Sequence, residues 1–168
     1  MGRRTVSFTT PFEPIAGLQI EAFAAPGKVA LWQEGDVVAL GEEGETTIAL
    51  ELRAHGKRVV YAPACAKVTP AFRERLSGAD VLFFDGTTYT DDELLSQGLM
   101  QKSARRMGHM SMSGPEGSIA ALAELPIGRK IFIHINNSNP ALIEGSAEHR
   151  AVEAAGWEIA YDGMEVVL

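Results

Sequence analysis

Two ionisable side chains end the two most apolar runs of the sequence. Asp85 closes residues 80–85 (DVLFFD), and His134 closes residues 130–134 (KIFIH). Continuous apolar runs of this length are typical of strands that are covered on both faces. Ligands usually bind at the carboxyl ends of such strands, where a carboxylate and an imidazole can move protons or hold a metal. A turn-forming aspartate before Gly86 and a structural histidine remain the alternatives at this point.

A third candidate, His109, lies in the segment RRMGHM (105–110), which serines, glycines and a proline follow. This composition predicts a loop, with neither helix nor strand, and the loop is either functional or an ordinary surface crossing. We predict that Asp85, His109 and His134 converge at one rim, with Asp85 and His109 within hydrogen-bonding reach. Neighbouring members are 24 and 25 residues apart in the sequence.

Other candidate residues are weaker. Asn136 and Asn137 follow His134 in a segment richer in amides than a turn requires, so they either bind a ligand or cap local backbone groups. His55 in Ala-His-Gly-Lys predicts a hairpin turn, and His149 sits on a predicted helix; we expect both to be structural. Cys65, between two alanines, predicts a small-residue turn at the edge of the site, and we expect it to be neither a disulfide partner nor the main metal ligand.

The elements that must position these residues alternate between strands and helices, which indicates an α/β fold. Strands are predicted at 18–23, 46–52 and 57–61, with a final hairpin of 157–161 and 165–168. Helices are predicted after Thr69-Pro70 up to Gly78, from Thr90 to Gly98, at 118–125 and at 146–155.

Composition narrows the class of protein. A net charge of −7 over 168 residues argues against nucleic-acid binding. The single cysteine fits a reducing compartment, so a cytoplasmic location is expected. After Arg3 and Arg4 no apolar segment follows that resembles a secretory signal, and no run approaches the length of a membrane span.

Four segments carry a resemblance to a known family. They are FFDGTTYTDDE (83–93), RRMGHMSMSGPEGSIAAL (105–122), IFIHINNSNP (131–140) and AVEAAGWEIAYDGMEV (151–166). In this order they resemble the C-terminal half of the coenzyme PQQ synthesis protein B family, within the metallo-β-lactamase superfamily. The resemblance implies the C-terminal half of an αββα sandwich. Residues 1–168 are then expected to form one partial domain that lacks the N-terminal half with the main metal motif.

The chain also resembles the second half of ribonuclease Z, and this likeness suggests roles. It implies that Asp85 is an acid that orients His109, and that His134 is the last metal-ligating histidine. Cys65 stands near the position of a metal-bridging aspartate. Gly27 or Lys28 falls where a further ligand histidine is expected. These departures favour a mononuclear site over two-metal hydrolysis.

The family resemblance further implies iron(II)- and oxygen-dependent hydroxylation of the tyrosine ring in a Glu-Tyr precursor of PQQ, with zinc as the other metal. His134 would bind the metal together with ligands from the missing half. His109 and Asp85 would be catalytic, while Arg105, Arg106, Asn136 and Asn137 would contact the precursor.

Whether the chain is an enzyme stays open: it is either part of such a hydroxylase, a non-catalytic carrier that moves PQQ or its precursor to the periplasm, or an inactive fragment. An apolar sheet face left without its partner would bind the N-terminal half or a second copy.

Overall fold

A single mixed sheet organises the part of the chain that the structure, a computed structural model, describes: residues 7–28 and 40–168. Arg3 and Arg4 lie outside these ranges. The strands follow one another across the sheet in chain order. They are β1 (Phe12–Ile15), β2 (Leu18–Lys28), β3 (Leu40–Ala54), β4 (Lys57–Ala62), β5 (Val81–Asp85), β6 (Arg129–Ile133) and β7 (Trp157–Ile159).

The sheet changes character at β4. Strands β1 to β4 pair antiparallel, whereas β4 to β7 pair parallel. The predicted hairpin at His55-Gly56 is confirmed: φ is +51° at His55 and +76° at Gly56. Two central residues with positive φ are what a tight β-hairpin turn requires, so the turn accounts for His55.

Short helices connect the parallel strands. They are α1 (Pro70–Leu76), α2 (Glu93–Ser96), α3 (Ala104–Met107), α4 (Ser118–Ala121) and α5 (Ala147–Ala154), with a 3-10 turn at Pro140–Leu142. The predicted helix starts at Thr69 and Ser146 are confirmed, because these side chains cap α1 and α5 by accepting hydrogen bonds from the backbone N–H groups of Phe72 and His149. The helices predicted up to Gly98 and Leu125 are shorter than expected. Along the described residues, no helix has the length and apolarity needed to cross a membrane.

Two sequence predictions are wrong. The segment 105–110 is not simply a loop, because Ser103 caps α3 and Gly108, with φ +94°, ends it. A single turn of helix needs only these end signals, which compensate for an unfavourable composition. The final hairpin is also absent: β7 pairs with β6, and residues 165–168 form no strand. The Asp162-Gly163 turn diverts the chain after a strand of only three residues.

The two faces of the sheet differ in how well they are buried. On one face Val60, Leu82, Phe84 and Phe132 are fully buried, in a cluster that includes α1 residues and Trp157, whose ring stacks on Phe132 at 4.0 Å. The register places other apolar side chains together on the opposite face. We call this set the open face: Ile48, Leu50, Leu52, Val59, Tyr61 and Phe83. Its members stay partly exposed, with Ile48 at 45% and Tyr61 at 40%.

Candidate metal centre

The candidate site forms where β4, β5 and β6 end, because parallel strands bring their carboxyl ends to the same edge. Asp85 is the last residue of β5, and His134 follows β6 directly. His109 arrives from the segment after α3, and Cys65 from the loop after β4. The predicted convergence is confirmed: one ligating atom each of Asp85, His109 and His134 lie within 4.8 Å of one another.

Asp85 is fully buried and hydrogen-bonded on both carboxylate oxygens. Its Oδ1 accepts from the backbone N–H and the hydroxyl of Thr87, at 3.1 and 2.7 Å. Its Oδ2 accepts from the backbone N–H of Cys65 at 3.0 Å and from Nδ1 of His109 at 2.8 Å. Four hydrogen bonds use the four lone-pair positions of a carboxylate. Asp85 therefore positions its neighbours and has no free lone pair for a metal ion.

The charges in the site follow from these contacts. Burial disfavours a charged carboxylate, but the hydrogen bonds from His109 and Thr87 and the proximity of the His134 ring outweigh burial and hold the pKa of Asp85 below its ordinary value. The Asp85 carboxylate in turn raises the pKa of His134, against the opposing effect of partial burial. Nδ1 of His134 lies 3.9 Å from Oδ1 of Asp85, which is too far for a direct hydrogen bond.

Both imidazoles point Nδ1 inward and leave Nε2 available. His109 donates its Nδ1–H to the carboxylate, and Nδ1 of His134 lies 2.9 Å from the Thr87 hydroxyl. The two rings stack at 5.3 Å with an angle of 18° between their planes. Within the described residues, no hydrogen bond engages either Nε2. A neutral imidazole held in this way by an acidic partner is the usual form of a metal-ligating histidine.

The backbone conformation of His134 is a second indication of a functional site. Its φ of +53° lies in the left-handed region, which non-glycine residues adopt at a cost of about 1–2 kcal/mol. Such strain is often found at functional sites, where the surrounding structure holds a side chain in a required direction. The side chain of His134 is 54% exposed, compared with 17% for His109. His134 is thus the more accessible of the two ligand candidates.

Buried polar side chains connect the loops after β5 and β6. Asn139 donates to the carbonyl of Gly86 at 3.0 Å and accepts from the N–H of Ala141. Glu93, only 4% exposed, accepts from the N–H of Tyr89 and from the Ser138 hydroxyl. Glu93 is not among the candidate residues of the sequence, although it braces these two loops. A glutamate that opens a short helix gives no sequence signal that it turns inward.

A cleft of about 310 Å³ lies beside His109, and only one of the four predicted contact residues lines it. Arg105 lines the cleft, and its guanidinium lies 2.5 Å from Oε2 of Glu116 across it. Arg106 and Asn137 are exposed and do not line this cleft. Asn136 uses its amide N–H₂ to donate to the Ser138 hydroxyl at 2.7 Å. The structure therefore brings Arg105 to His109 and leaves the other three at the periphery.

The position of Cys65 agrees with a turn at the edge of the site. It is fully buried, and its thiol lies 3.2 Å from the Lys67 carbonyl and 4.0 Å from Sδ of Met110. The carbonyl of Cys65 accepts from the N–H of Met110, which ties this loop to the segment that carries His109. Gly27 has no side chain that could bind a metal. A larger residue would not fit there, because its Cβ would lie 2.0 Å from the Thr47 hydroxyl oxygen.

Gly86 is closely packed, so that a larger residue does not fit at this position. A Cβ at Gly86 would lie 2.8 Å from Cε of Met112 and 3.1 Å from the Ile133 carbonyl. We expect Gly86→Ala to lower the free energy of unfolding by about 1–3 kcal/mol, since the contacts at the end of β6 must shift. Gly44→Ala is the matched control, because nothing lies within 4 Å of its Cβ position. Urea unfolding of both variants measures the difference; equal stabilities would show that the strand ends are not tightly packed.

Comparisons with known proteins agree with this geometry. A family model described as the beta-lactamase superfamily domain matches residues 3–135. The coenzyme PQQ synthesis protein B of Methylobacterium sp. (strain 4-46) is 52% identical over 100% of this chain and 56% of its own length. The protein of the same name from Rhizobium meliloti (strain 1021) is 50% identical over 100% of this chain and 55% of its own length. The chain spans about half the length of the curated relatives it matches.

Solved structures show which proteins share the fold of this chain. Zn(2+)-bound PqqB from Methylobacterium extorquens matches 99% of this chain and 56% of its own length, with a TM-score of 0.94 and 48% identity. The metallo-beta-lactamase fold protein YhfI from Bacillus subtilis matches at a TM-score of 0.58 and 14% identity, which supports the fold alone. The predicted resemblance to coenzyme PQQ synthesis protein B and the metallo-β-lactamase type of α/β fold are both confirmed. Because the family model covers well over half of its residues, the chain belongs to the beta-lactamase superfamily.

Proposed function

We propose that this chain serves PQQ biosynthesis by supplying His134 to a mononuclear metal centre. The observation that carries the proposal is the hydrogen-bond pattern around Asp85, which holds Nδ1 of His134 inward and leaves Nε2 exposed. The similarity to coenzyme PQQ synthesis protein B supplies the pathway. His134 is the proposed ligand, and Asp85 with Thr87 holds its ring.

The donors present suit either iron(II) or zinc, because neutral imidazole binds both. A mononuclear site of this kind takes about three protein ligands, and Asp85 has no free lone pair to be one of them. We therefore propose that the remaining ligands come from the part of the relatives that this chain does not span, and that the residues 1–168 form one partial domain. This chain alone is then expected to bind iron(II) or zinc weakly and to show no turnover.

For the reaction we propose hydroxylation of the tyrosine ring of a Glu-Tyr-derived precursor with iron(II). The bound metal would supply activation of oxygen. The residues of this chain would handle protons and position the substrate: Nε2 of His109 faces outward beside the cleft, while Nδ1 and the Asp85 carboxylate keep its ring in one orientation. His109 can thus exchange a proton with the phenol.

Arg105 is the better placed of the two arginines for the precursor. It lines the cleft with His109 and already holds one carboxylate, that of Glu116. A guanidinium can bind a second carboxylate or exchange one for another, so Arg105 is proposed to take a carboxylate of the precursor. Arg106, Asn136 and Asn137 are proposed to contact the precursor from the periphery of the cleft.

The open face is proposed to be where the rest of a complete domain packs, or a second copy of this chain. Its partly exposed side chains Leu50, Tyr61 and Phe83 lie side by side in the sheet register. Burying such a face is the common way in which layered domains gain stability. A cytoplasmic location is proposed as well, because a sequence with a single cysteine fits a reducing compartment.

The experiment is oxygen uptake with iron(II) and the Glu-Tyr precursor. It uses this chain joined to the segment of the Methylobacterium relative that the chain does not span, here called the completed protein, beside the chain alone. We expect uptake and a hydroxylated product from the completed protein only. An inert completed protein that binds PQQ tightly would contradict hydroxylation and support the carrier role.

A further inference from the structure

We propose that Thr87 is a positioning residue that fixes the tautomer of His134 and so keeps its Nε2 free of a proton. The inference rests on the proposed function in one respect, which is that the free nitrogen binds the metal. The hydrogen-bond geometry that carries it is a property of the chain itself. Nothing in the sequence marks Thr87 more than its neighbour Thr88.

The Thr87 hydroxyl lies at the centre of the site. Its Oγ1 is 2.7 Å from Oδ1 of Asp85, 2.9 Å from Nδ1 of His134 and 3.0 Å from Nδ1 of His109. The residue is 8% exposed. Its backbone is anchored too, because its N–H donates to Asp85 and its carbonyl accepts from the N–H of Asn136. The hydroxyl therefore has little freedom to leave this position.

The protons available to these groups determine the direction of each hydrogen bond. A hydroxyl has one proton to donate and can accept through its lone pairs. The Asp85 carboxylate accepts from the backbone N–H groups of Cys65 and Thr87 and has no proton to give, so the Thr87 proton points at Oδ1. The hydroxyl oxygen must then accept from His134, and this requires a proton on Nδ1 of that ring. A neutral His134 with its proton on Nδ1 has a lone pair on Nε2.

His134 depends on Thr87 in a way that His109 does not. His109 reaches the carboxylate directly at 2.8 Å, whereas His134 is 3.9 Å from it and needs the hydroxyl as a bridge. Without the hydroxyl, a proton on Nδ1 of His134 would have no acceptor at hydrogen-bonding distance. The proton would move to Nε2, which water can reach because the side chain is 54% exposed. The ring would then present N–H where the metal must bind.

The chain offers matched variants for a test. Thr87→Val removes the hydroxyl at nearly constant volume, and Thr87→Ser retains it. Thr88→Val is the control at the adjacent position, because the Thr88 hydroxyl is also fully buried but has no hydrogen-bond partner among the described residues. His109 serves as an internal control within every variant.

The measurement is long-range ¹H–¹⁵N NMR of the histidine rings in the metal-free 168-residue chain, at a pH where the imidazoles are neutral. We expect His134 to carry its proton on Nδ1 in the unmodified chain, in Thr87→Ser and in Thr88→Val, and on Nε2 in Thr87→Val. His109 should stay protonated on Nδ1 in all four. A His134 protonated on Nε2 in the unmodified chain would overturn the proposal even if Thr87→Val fails to fold, as would an unchanged His134 tautomer in a folded Thr87→Val.

A second measurement separates this role from the proposed function. Zinc titration of the completed protein should show a loss of affinity of about 10- to 100-fold in Thr87→Val and little change in Thr87→Ser, as is typical when a partner of a ligating histidine is removed. Zinc affinity unchanged in Thr87→Val despite a shifted tautomer would contradict metal binding at His134 while leaving the tautomer assignment intact.

Discussion

His134→Gly is expected to abolish metal-dependent hydroxylation by the completed protein and to weaken its metal binding by more than about 100-fold, beyond the loss typical of an outer partner. The imidazole is the only ligand of the proposed centre that we assign within this chain. Glycine is the informative replacement because it adopts the positive φ of +53° without strain. Stability should therefore hold or rise while binding is lost.

His55→Gly is the matched control for that variant. His55 also has a positive φ, +51°, but it lies in the β3–β4 turn, away from the site. Both variants gain the same backbone freedom, and only one loses the proposed ligand. Calorimetric titration with zinc and oxygen uptake with iron(II) should separate them; equal metal affinity in the two variants would refute ligation by His134.

Asp85→Asn is expected to lower the free energy of unfolding by about 2–4 kcal/mol, because the amide turns two donors toward groups that themselves donate. The carboxylate accepts from Cys65, from Thr87 twice and from His109, so a neutral amide cannot satisfy all of them. Loss of this anchor should also release both imidazoles. Urea unfolding followed by fluorescence of the buried Trp157 measures the stability.

Asp80→Asn is the control, because Asp80 lies just before the other end of the same strand and accepts from Lys57 and the backbone of Arg58. Its side chain is 35% exposed, so a much smaller loss is expected there. A loss at Asp85 no greater than at Asp80 would contradict its role as the anchor of the site.

The pH dependence of the Asp85 effect has a definite sign. The pKa of Asp85 is lower in the folded chain than its ordinary value, so the carboxylate stabilises the fold above the unfolded pKa of about 4. This contribution is lost as the pH falls through the folded pKa. The stability difference between the unmodified chain and Asp85→Asn should thus shrink in acid. It should also decrease as the pH rises through the raised pKa of His134, because the carboxylate stabilises the charged form of that imidazole.

Much of the fold could be predicted, because residues within each segment determine where that strand or helix begins and ends. The apolar runs that end at Asp85 and His134 are β5 and β6, and Thr69-Pro70 starts α1. Strand ends of a parallel sheet meet at one edge, so the convergence of Asp85 and His134 followed from the strand prediction. The segment that carries His109 links two of these strands, which predicts its place at the same edge, and its hydrogen bond to Asp85 confirms the prediction.

The parts that sequence reasoning missed depend on contacts between distant segments. Thr87 and Thr88 are chemically alike, and only the arrival of His134 from β6 gives one hydroxyl a partner. Glu93 is buried because Ser138 reaches it from the loop after β6. The helical turn α3 forms where composition favoured a loop, since Ser103 and Gly108 supply both of its ends.

Metal ligation by Nε2 of His134 is tested most directly by ¹H–¹⁵N NMR of the histidine rings in the completed protein during titration with zinc. We expect one equivalent of zinc to shift the Nε2 resonance of His134 while its Nδ1 stays protonated. A Nε2 resonance of His134 that is unchanged at one bound zinc ion would contradict it.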